Sequence, residues 1–348
     1  MTLTTDTSIT AMRFLVGTYT HIAQAPSASR GVYLIDLDTT SLKASILDSA
    51  QVKNPSYVAL LGNNAFTLSE CGTESLLHSI KIDGDKLRLT SSTDSPGDDP
   101  CHLVAMGDKL YSANYSSGSV AVIQIDEGGT LGQVKQQQRF TQHGTSRRQL
   151  ASHLHNLAVS PSGKHVAASN LGGDCLHLLE RDDKGMLQLL STTMVKAESG
   201  PRHMAWNACG TRLYLVTELS DEVMTFDCDG HELRHMQTLV AARTPGHGAG
   251  DLHIHPSGKW VYASVRLVDD GIALFSVGQD GTLTRKAFYS TGTHPRNFAI
   301  TPCGTLLLCA CRDKNAIELY RISENDGTLT YLEGHDITIP LPVCITII

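Results

Sequence analysis

The 348-residue sequence has no surplus of positive charge: Asp and Glu outnumber Lys and Arg 35 to 28, a formal net charge of −7. A polyanionic partner needs a basic face, so a nucleic-acid or anionic-membrane surface is disfavoured, although a local basic pocket is not. No apolar run approaches the length that spans a bilayer, and the opening MTLTTDTSITAMR has neither a basic n-region nor an apolar h-region. Both absences point to a cytoplasmic protein without membrane contact. Cysteine pairs at metal or redox spacing are missing too, since the nine cysteines are odd in number and include no C-x-x-C. Cys209, Cys303, Cys309 and Cys344 fall in turns or strands of a repeat, where reduced thiols serve as small apolar residues.

What the chain does have is a recurring unit. Its clearest copy, AGDLHIHPSGKWVYASVRLVDDGIALFSVGQDGTL from Ala249 to Leu283, reads as an apolar strand, a Pro-Ser-Gly turn, an alternating strand, a polar loop, a third strand and a Gly turn. The turn glycines Gly163, Gly210, Gly258 and Gly304 are 47, 48 and 46 residues apart, a period that means propeller blades or arrays. Phe14, Phe66, Tyr111, Val166, Tyr214, Tyr262 and Leu308 anchor seven second strands. Outer strands such as SLKASILDS and KLRLTSST bring each repeat to four. Between Gly107 and Gly163 the interval stretches to 56, which assigns the basic segment Gln133–Leu150 to a rim excursion.

The first repeat has no opening strand of its own, and LPVCITII at the C-terminus has the opening-strand pattern. The expected fold is therefore an all-β, seven-bladed β-propeller of four antiparallel strands per blade, in which the N- and C-terminal strands close one blade and remove the open edges. A single domain is expected over 13–348, after a disordered or loosely attached tail over 1–12, with helices nearly absent.

In a propeller, equivalent positions form rings around one axis. Four residues past the anchors lie Thr18, Glu70, Tyr115, Asn170, Glu218, Arg266 and Arg312. Seven before the turn glycines lie Asn156, His203, Asp251 and Asn297, and one position earlier His155, Arg202, Gly250 and Arg296. Taken singly, Glu70, Tyr115 and Asn170 read as ordinary turn residues. Arginines in one register are different, because they repel one another without an anion between them. The rings thus define a cationic pocket, with Glu70, Tyr115, His153, His203, Asp251, Arg296 and Arg312 as candidate substrate contacts. The pairs His153/His155 and His253/His255 invite a metal, but no further ligands complete a set, and no metal or other cofactor is expected. The charged stretches Arg181–Lys184 and Asp269–Asp270 read as turns.

FLVGTYT, NPSYVAL, ANYSSGSVAV, SHLHNLAVSPSGK, NLGGD, GPRHMAWNACGTRLYLVTEL, GDLHIHPSGKWVYAS and HPRNFAITPCGTLLLCACR together resemble the lactonase family of seven-bladed propellers, which includes propeller-type 6-phosphogluconolactonases and carboxy-muconate lactonizing enzymes. The resemblance covers residues 13 to 348. It implies a catalytic group of His155, Arg202, Glu218 and Arg266. Asn170 stands where the family often has Asp, Leu154 replaces the proline of H-P-H, and Val265-Arg266-Leu267 replaces N-R-G. The implied activity is hydrolysis of a small anionic sugar lactone, foremost 6-phosphoglucono-δ-lactone, by a monomer or weak homo-oligomer. Either Glu218 or His155 would activate water, and arginines would hold the oxyanion and the substrate's anion. The alternatives are cyclisation or opening of a carboxy-muconate-type dicarboxylate and a non-catalytic binding scaffold.

Overall fold

The structure, a computed structural model, describes residues 11–22 and 25–348. The tail expected over 1–12 lies outside the described residues as far as residue 10, and Ala11 and Met12 pair with Asp38 and Leu37. Seven antiparallel sheets form the ring. Blade 1 has the strand order Pro342–Ile347, Ala11–Thr18, Gly31–Asp38, Ala44–Gln51, so the C-terminal strand closes the ring as the sequence predicts. Blades 2 to 7 open with Val58–Leu61, Pro100–Met106, Leu154–Val159, Pro201–Trp206, Ala249–Ile254 and Pro295–Ile300. Among the described residues the helical content is one 3-10 turn, Gly72–Glu74.

The segment Gln133–Leu150 corrects the sequence reading. Its first half belongs to Leu131–Arg139, the outer strand of blade 3, paired with Ser119–Ile125; only the remainder is loop. Apart from Leu131 and Val134 this outer strand is made of polar residues and a glycine, so no apolar alternation marks it in the sequence.

Every seam between neighbouring blades has its own apolar cluster. Phe14, Ile35, Leu308 and Leu319 fill the seam between blades 1 and 7, and Tyr214, Val216, Val261 and Phe275 the one between blades 5 and 6. All seven anchors are almost wholly buried in these seams. The tyrosine anchors also reach forward, with Tyr111, Tyr214 and Tyr262 hydroxyls donating to the carbonyls of Gly185, Gly281 and Gly327 at 2.9, 2.9 and 2.7 Å. The ring of residues near the start of each inner strand makes a second belt: Asn156 Oδ1 accepts from Met204 N, Asp251 Oδ2 from Phe298 N and Asn297 Oδ1 from Ile345 N.

Two buried carboxylates then shape the loops that lead into the inner strands. Asp174 and Asp221, at φ 45° and 53°, occupy the left-handed conformation that Asp tolerates better than most residues. Asp174 accepts from Glu198 N at 2.7 Å and Gly200 N at 2.8 Å. Asp221 accepts four N–H groups, from Gly246, His247, Gly248 and Ala249, at 2.6 to 2.9 Å. Replacing Asp221 by Ala leaves those amides without acceptors, and we expect unfolding stability to drop by about 3 kcal/mol in urea titrations, with Asp221→Asn intermediate.

Candidate functional site

In each blade the second strand ends, and the inner strand begins, at the same end of the ring. Glu218 follows Arg212–Thr217 and Arg202 sits in Pro201–Trp206 of the same blade, while Arg266 follows Trp260–Val265 of the next. These residues meet. Arg202 Nε donates to Glu218 Oε2 at 2.8 Å, Arg148 Nη2 donates to Oε1 at 2.9 Å, and Arg266 Nη2 lies 3.6 Å from Oε2. Three guanidiniums share one carboxylate, leaving net positive charge.

Their environments differ. The Arg202 and Arg266 side chains are 2% and 4% exposed, whereas that of Arg148 is 52% exposed. The buried pair is held by backbone carbonyls: Arg202 Nη1 donates to Gly250 O, and Arg266 donates from Nε to Gly248 O at 2.7 Å and from Nη2 to Ala249 O at 3.2 Å. These carbonyls belong to the stretch whose amides Asp221 gathers. Arg266 Nη1 also donates to His294 Nε2 at 3.2 Å, and His294 Nδ1 lies 3.4 Å from Asp313. Burial, reinforced by Arg266 and Arg312, pushes His294 down to about 3, so it is a neutral acceptor for Arg266. Burial opposes ionisation of Glu218, but Arg266, Arg202 and Arg148 outweigh it and hold the carboxyl at about 2. Burial pushes Arg202 and Arg266 below the ordinary guanidinium value; beside Glu218 both stay protonated at neutral pH.

Two donors face no protein acceptor among the described residues. One is Arg202 Nη2; the other is the whole guanidinium of Arg296, which lies 5.3 Å over the Tyr19 ring without an ion pair. His155 is buried beside them with Nδ1 unpartnered. Burial, then Arg202, His203 and Arg296, holds its pKa well below the ordinary imidazole value, so the ring is neutral.

The remaining predicted residues fall into two groups. Tyr115, His153, Glu70 and Arg312 stay at the mouth. The Tyr115 ring stacks on His153 at 4.3 Å and meets His155 edge-on at 5.8 Å, and its hydroxyl is in reach of Arg148. Glu70 accepts from the Tyr19 hydroxyl at 2.9 Å, and Arg312 is paired with Asp313. Glu70, Asp99, Tyr19, Tyr115, Ser116 and Arg312 are among the residues lining a cavity of about 370 Å³. His203 and Asp251 instead turn into the central channel, a cavity of about 550 Å³. There Asp251 accepts from His203 Nδ1 at 2.6 Å, His253 Nε2 at 2.9 Å and Asn297 Nδ2 at 2.5 Å.

The histidine pairs diverge: His253 turns to Asp251, His255 to Ser257 and Gly304. Among the described residues no group of three or more His, Cys, Asp or Glu is placed to hold a metal ion. Asn170 accepts from His153 N and Gly173 N, both at 3.0 Å, and so shapes the rim loop. Arg148, Tyr19 and His294 were not singled out from the sequence. The stretched interval of blade 3 was the one signal for Arg148, and His294 is the residue before Pro295-Arg296.

The ring is a seven-bladed propeller with a guanidinium-lined, carboxylate-centred pocket of net positive charge at one mouth. The chain belongs to the lactonase family: residues 13–347 match the family described as Lactonase, 7-bladed beta-propeller. It is 30% identical to the 6-phosphogluconolactonase of Bacillus subtilis, over 95% of this chain and 96% of that one. It is likewise 30% identical to the 6-phosphogluconolactonase of Formosa agariphila, over 87% and 91%. Among solved structures, the periplasmic gluconolactonase of Pseudomonas aeruginosa superposes with a TM-score of 0.90 at 28% identity, over 97% of this chain and 99% of that one. No helix among the described residues is long and apolar enough to cross a membrane.

The displaced Glu218 pKa has a sign that can be measured. A carboxyl depressed from 4.5 to about 2 stabilises the fold fully above its unfolded value and loses that contribution as pH falls through 2. The Glu218→Gln variant is expected to be less stable by about 3 kcal/mol at pH 7, and the gap to wild type should close between pH 4.5 and 2 in denaturant titrations.

Proposed function

We propose that the chain hydrolyses a sugar lactone, with 6-phosphoglucono-δ-lactone as its substrate. The supporting observation is the mixed lining of the mouth. Unpaired cationic donors, Arg202 Nη2 and Arg296, meet a cavity edged by Glu70, Asp99, Tyr19, Tyr115, Ser116 and Arg312, with Arg296 lying over the Tyr19 ring. Carboxylates and hydroxyls of that kind accept from the hydroxyls of a sugar. They oppose the several carboxylates of a carboxy-muconate, which makes the dicarboxylate reading the weaker one. A purely structural propeller would have little use for a buried, unpartnered imidazole nitrogen beside two cations.

On this reading His155 is the base and Glu218 the counter-ion. A carboxylate held at about 2 takes protons poorly, whereas a neutral imidazole accepts one, the more readily once charge developing on the carbonyl oxygen offsets Arg202 and Arg296. His155 removes a proton from water as its oxygen bonds to the lactone carbonyl carbon. Arg202 Nη2 donates to the developing oxyanion, and Arg296 adds a second positive charge beside it. Collapse breaks the ring C–O bond, His155 returns its proton to the leaving alkoxide, and the carboxylic acid product loses one proton to solvent. Cytoplasmic placement in a carbohydrate-oxidation route such as the pentose phosphate pathway belongs to the same proposal. It is supported by nine free thiols, among them exposed Cys209 and Cys303, although the Pseudomonas neighbour is periplasmic.

The test is a panel of 6-phosphoglucono-δ-lactone, glucono-δ-lactone and a carboxy-muconolactone, with and without chelator. Turnover is expected on the sugar lactones and insensitive to chelator. His155→Ala should lower kcat by about 10²- to 10⁴-fold and remove the acid limb of the pH profile. Glu218→Gln should lose activity while keeping that limb; full turnover by the His155 variant would exclude it as base.

A further inference from the structure

At the outer edge of the pocket just described, the rim loop of blade 3 extends its cationic lining. Ser146 to Gln149 form a tight turn, closed by Gln149 N donating to Ser146 O at 2.8 Å and by Ser146 Oγ donating to Gln149 Oε1 at 2.8 Å. Its two central residues are Arg147 and Arg148. The turn is rooted by Gln149, which is fully buried and donates from Nε2 to Leu171 O at 2.9 Å, and by Gly144 N donating to Gly172 O at 2.8 Å. Adjacent guanidiniums repel, and only Arg148 is offset, by Glu218. Among the described residues Arg147 has no carboxylate oxygen within 4 Å.

The turn closes one side of a cleft of about 410 Å³ lined by Ser146, Arg147, Arg148, Glu198, Leu219 and His247. The opposite walls are the loops that Asp174 and Asp221 gather: Glu198 N donates to Asp174 at 2.7 Å, His247 N to Asp221 at 2.9 Å, and the His247 ring meets Leu219 O. Three independently braced segments therefore surround it. Arg148 faces both this cleft and Glu218, and Leu219 is the residue after Glu218, so the cleft continues the pocket outward.

We propose that this cleft is a phosphate subsite, and that Arg147 selects lactones bearing a phosphomonoester. Two guanidiniums presented by one turn, one of them without a carboxylate partner, match the several acceptor oxygens of a phosphate dianion. Glu198 is the one carboxylate on the walls; it opposes the anion and sets a limit on affinity. Selection of the phosphate rests on the lactonase reading, whereas binding of a phosphate group does not.

The test compares kcat/KM for 6-phosphoglucono-δ-lactone and glucono-δ-lactone in wild type, Arg147→Ala and Glu198→Gln, alongside calorimetric titration of each protein with inorganic phosphate. Arg147→Ala should lower the phosphorylated-to-unphosphorylated ratio about tenfold or more and weaken phosphate binding, and Glu198→Gln should shift both the other way. Unchanged ratios in both variants overturn the selection, and phosphate binding that neither substitution alters overturns the subsite. Wild type that binds phosphate through Arg147 but turns over neither lactone upholds the subsite and overturns the proposed hydrolysis.

Discussion

Pairing of Pro342–Ile347 with Ala11–Thr18 is the constraint from which the rest follows. A stack of six and a half blades would end in two open sheet edges, and each terminal blade would expose one face of its apolar seam. Closing the ring supplies the last seam, where Phe14, Leu308 and Ile345 pack together. It also fixes the angle between blades, so the inner strands must converge on one axis. Arg202, 16 positions before Glu218, and Arg266, 48 positions after it in the next blade, come to the same carboxylate because the closed ring brings their strand ends to one mouth.

The pocket that this convergence creates is unfavourable on its own. Buried guanidiniums lose hydration, and one carboxylate cannot balance three of them. The backbone supplies part of the remedy. Asp221 accepts the amides of residues 246 to 249, and the carbonyls of Gly248, Ala249 and Gly250 accept from Arg266 and Arg202. The intervening peptide dipoles are thereby aligned between a carboxylate and two cations, and each end favours the orientation that the other needs. Asp221 never touches the pocket, yet it directs the carbonyls that hold the arginines. The seams carry the remaining deficit.

Much of this was legible in the primary structure because a propeller repeats itself. Turn glycines at near-constant spacing gave the blade count, and the missing first strand gave the closure. Counting four residues past Tyr214 and Tyr262 led to Glu218 and Arg266. Register could say which residues share an end of the ring, but not which way each turns: His203 and Asp251 share their ring position with Asn156 and Asn297 and join the channel belt, while Arg202, one residue earlier, enters the pocket. Arg148 was hidden for a different reason. It lies in the one loop with no counterpart in other blades, so repetition is silent about it, and its partner lies in a blade that is not adjacent. The outer strand Leu131–Arg139 was hidden because its half-buried positions are filled by polar residues such as Gln136 and Gln138, which leave no apolar alternation to read.

The unequal exposure of the three arginines divides their work. Arg202 and Arg266 are locked by carbonyls and by Glu218, so on the proposed reading Arg202 presents a fixed donor that needs no rearrangement when charge develops on a substrate oxygen. Arg148 reaches the same carboxylate from a half-exposed turn, so trading that partner for another anion costs it less than it would cost the buried pair. On this reading the site separates two tasks that one arginine could not combine: a buried interior tuned to the reacting centre, and a half-exposed rim cation tuned to the part of the ligand that does not react. On the proposed reading, that is why the positive charge exceeds what Glu218 can neutralise. The missing negative charge is the ligand's own, and the pocket is balanced only when it is filled.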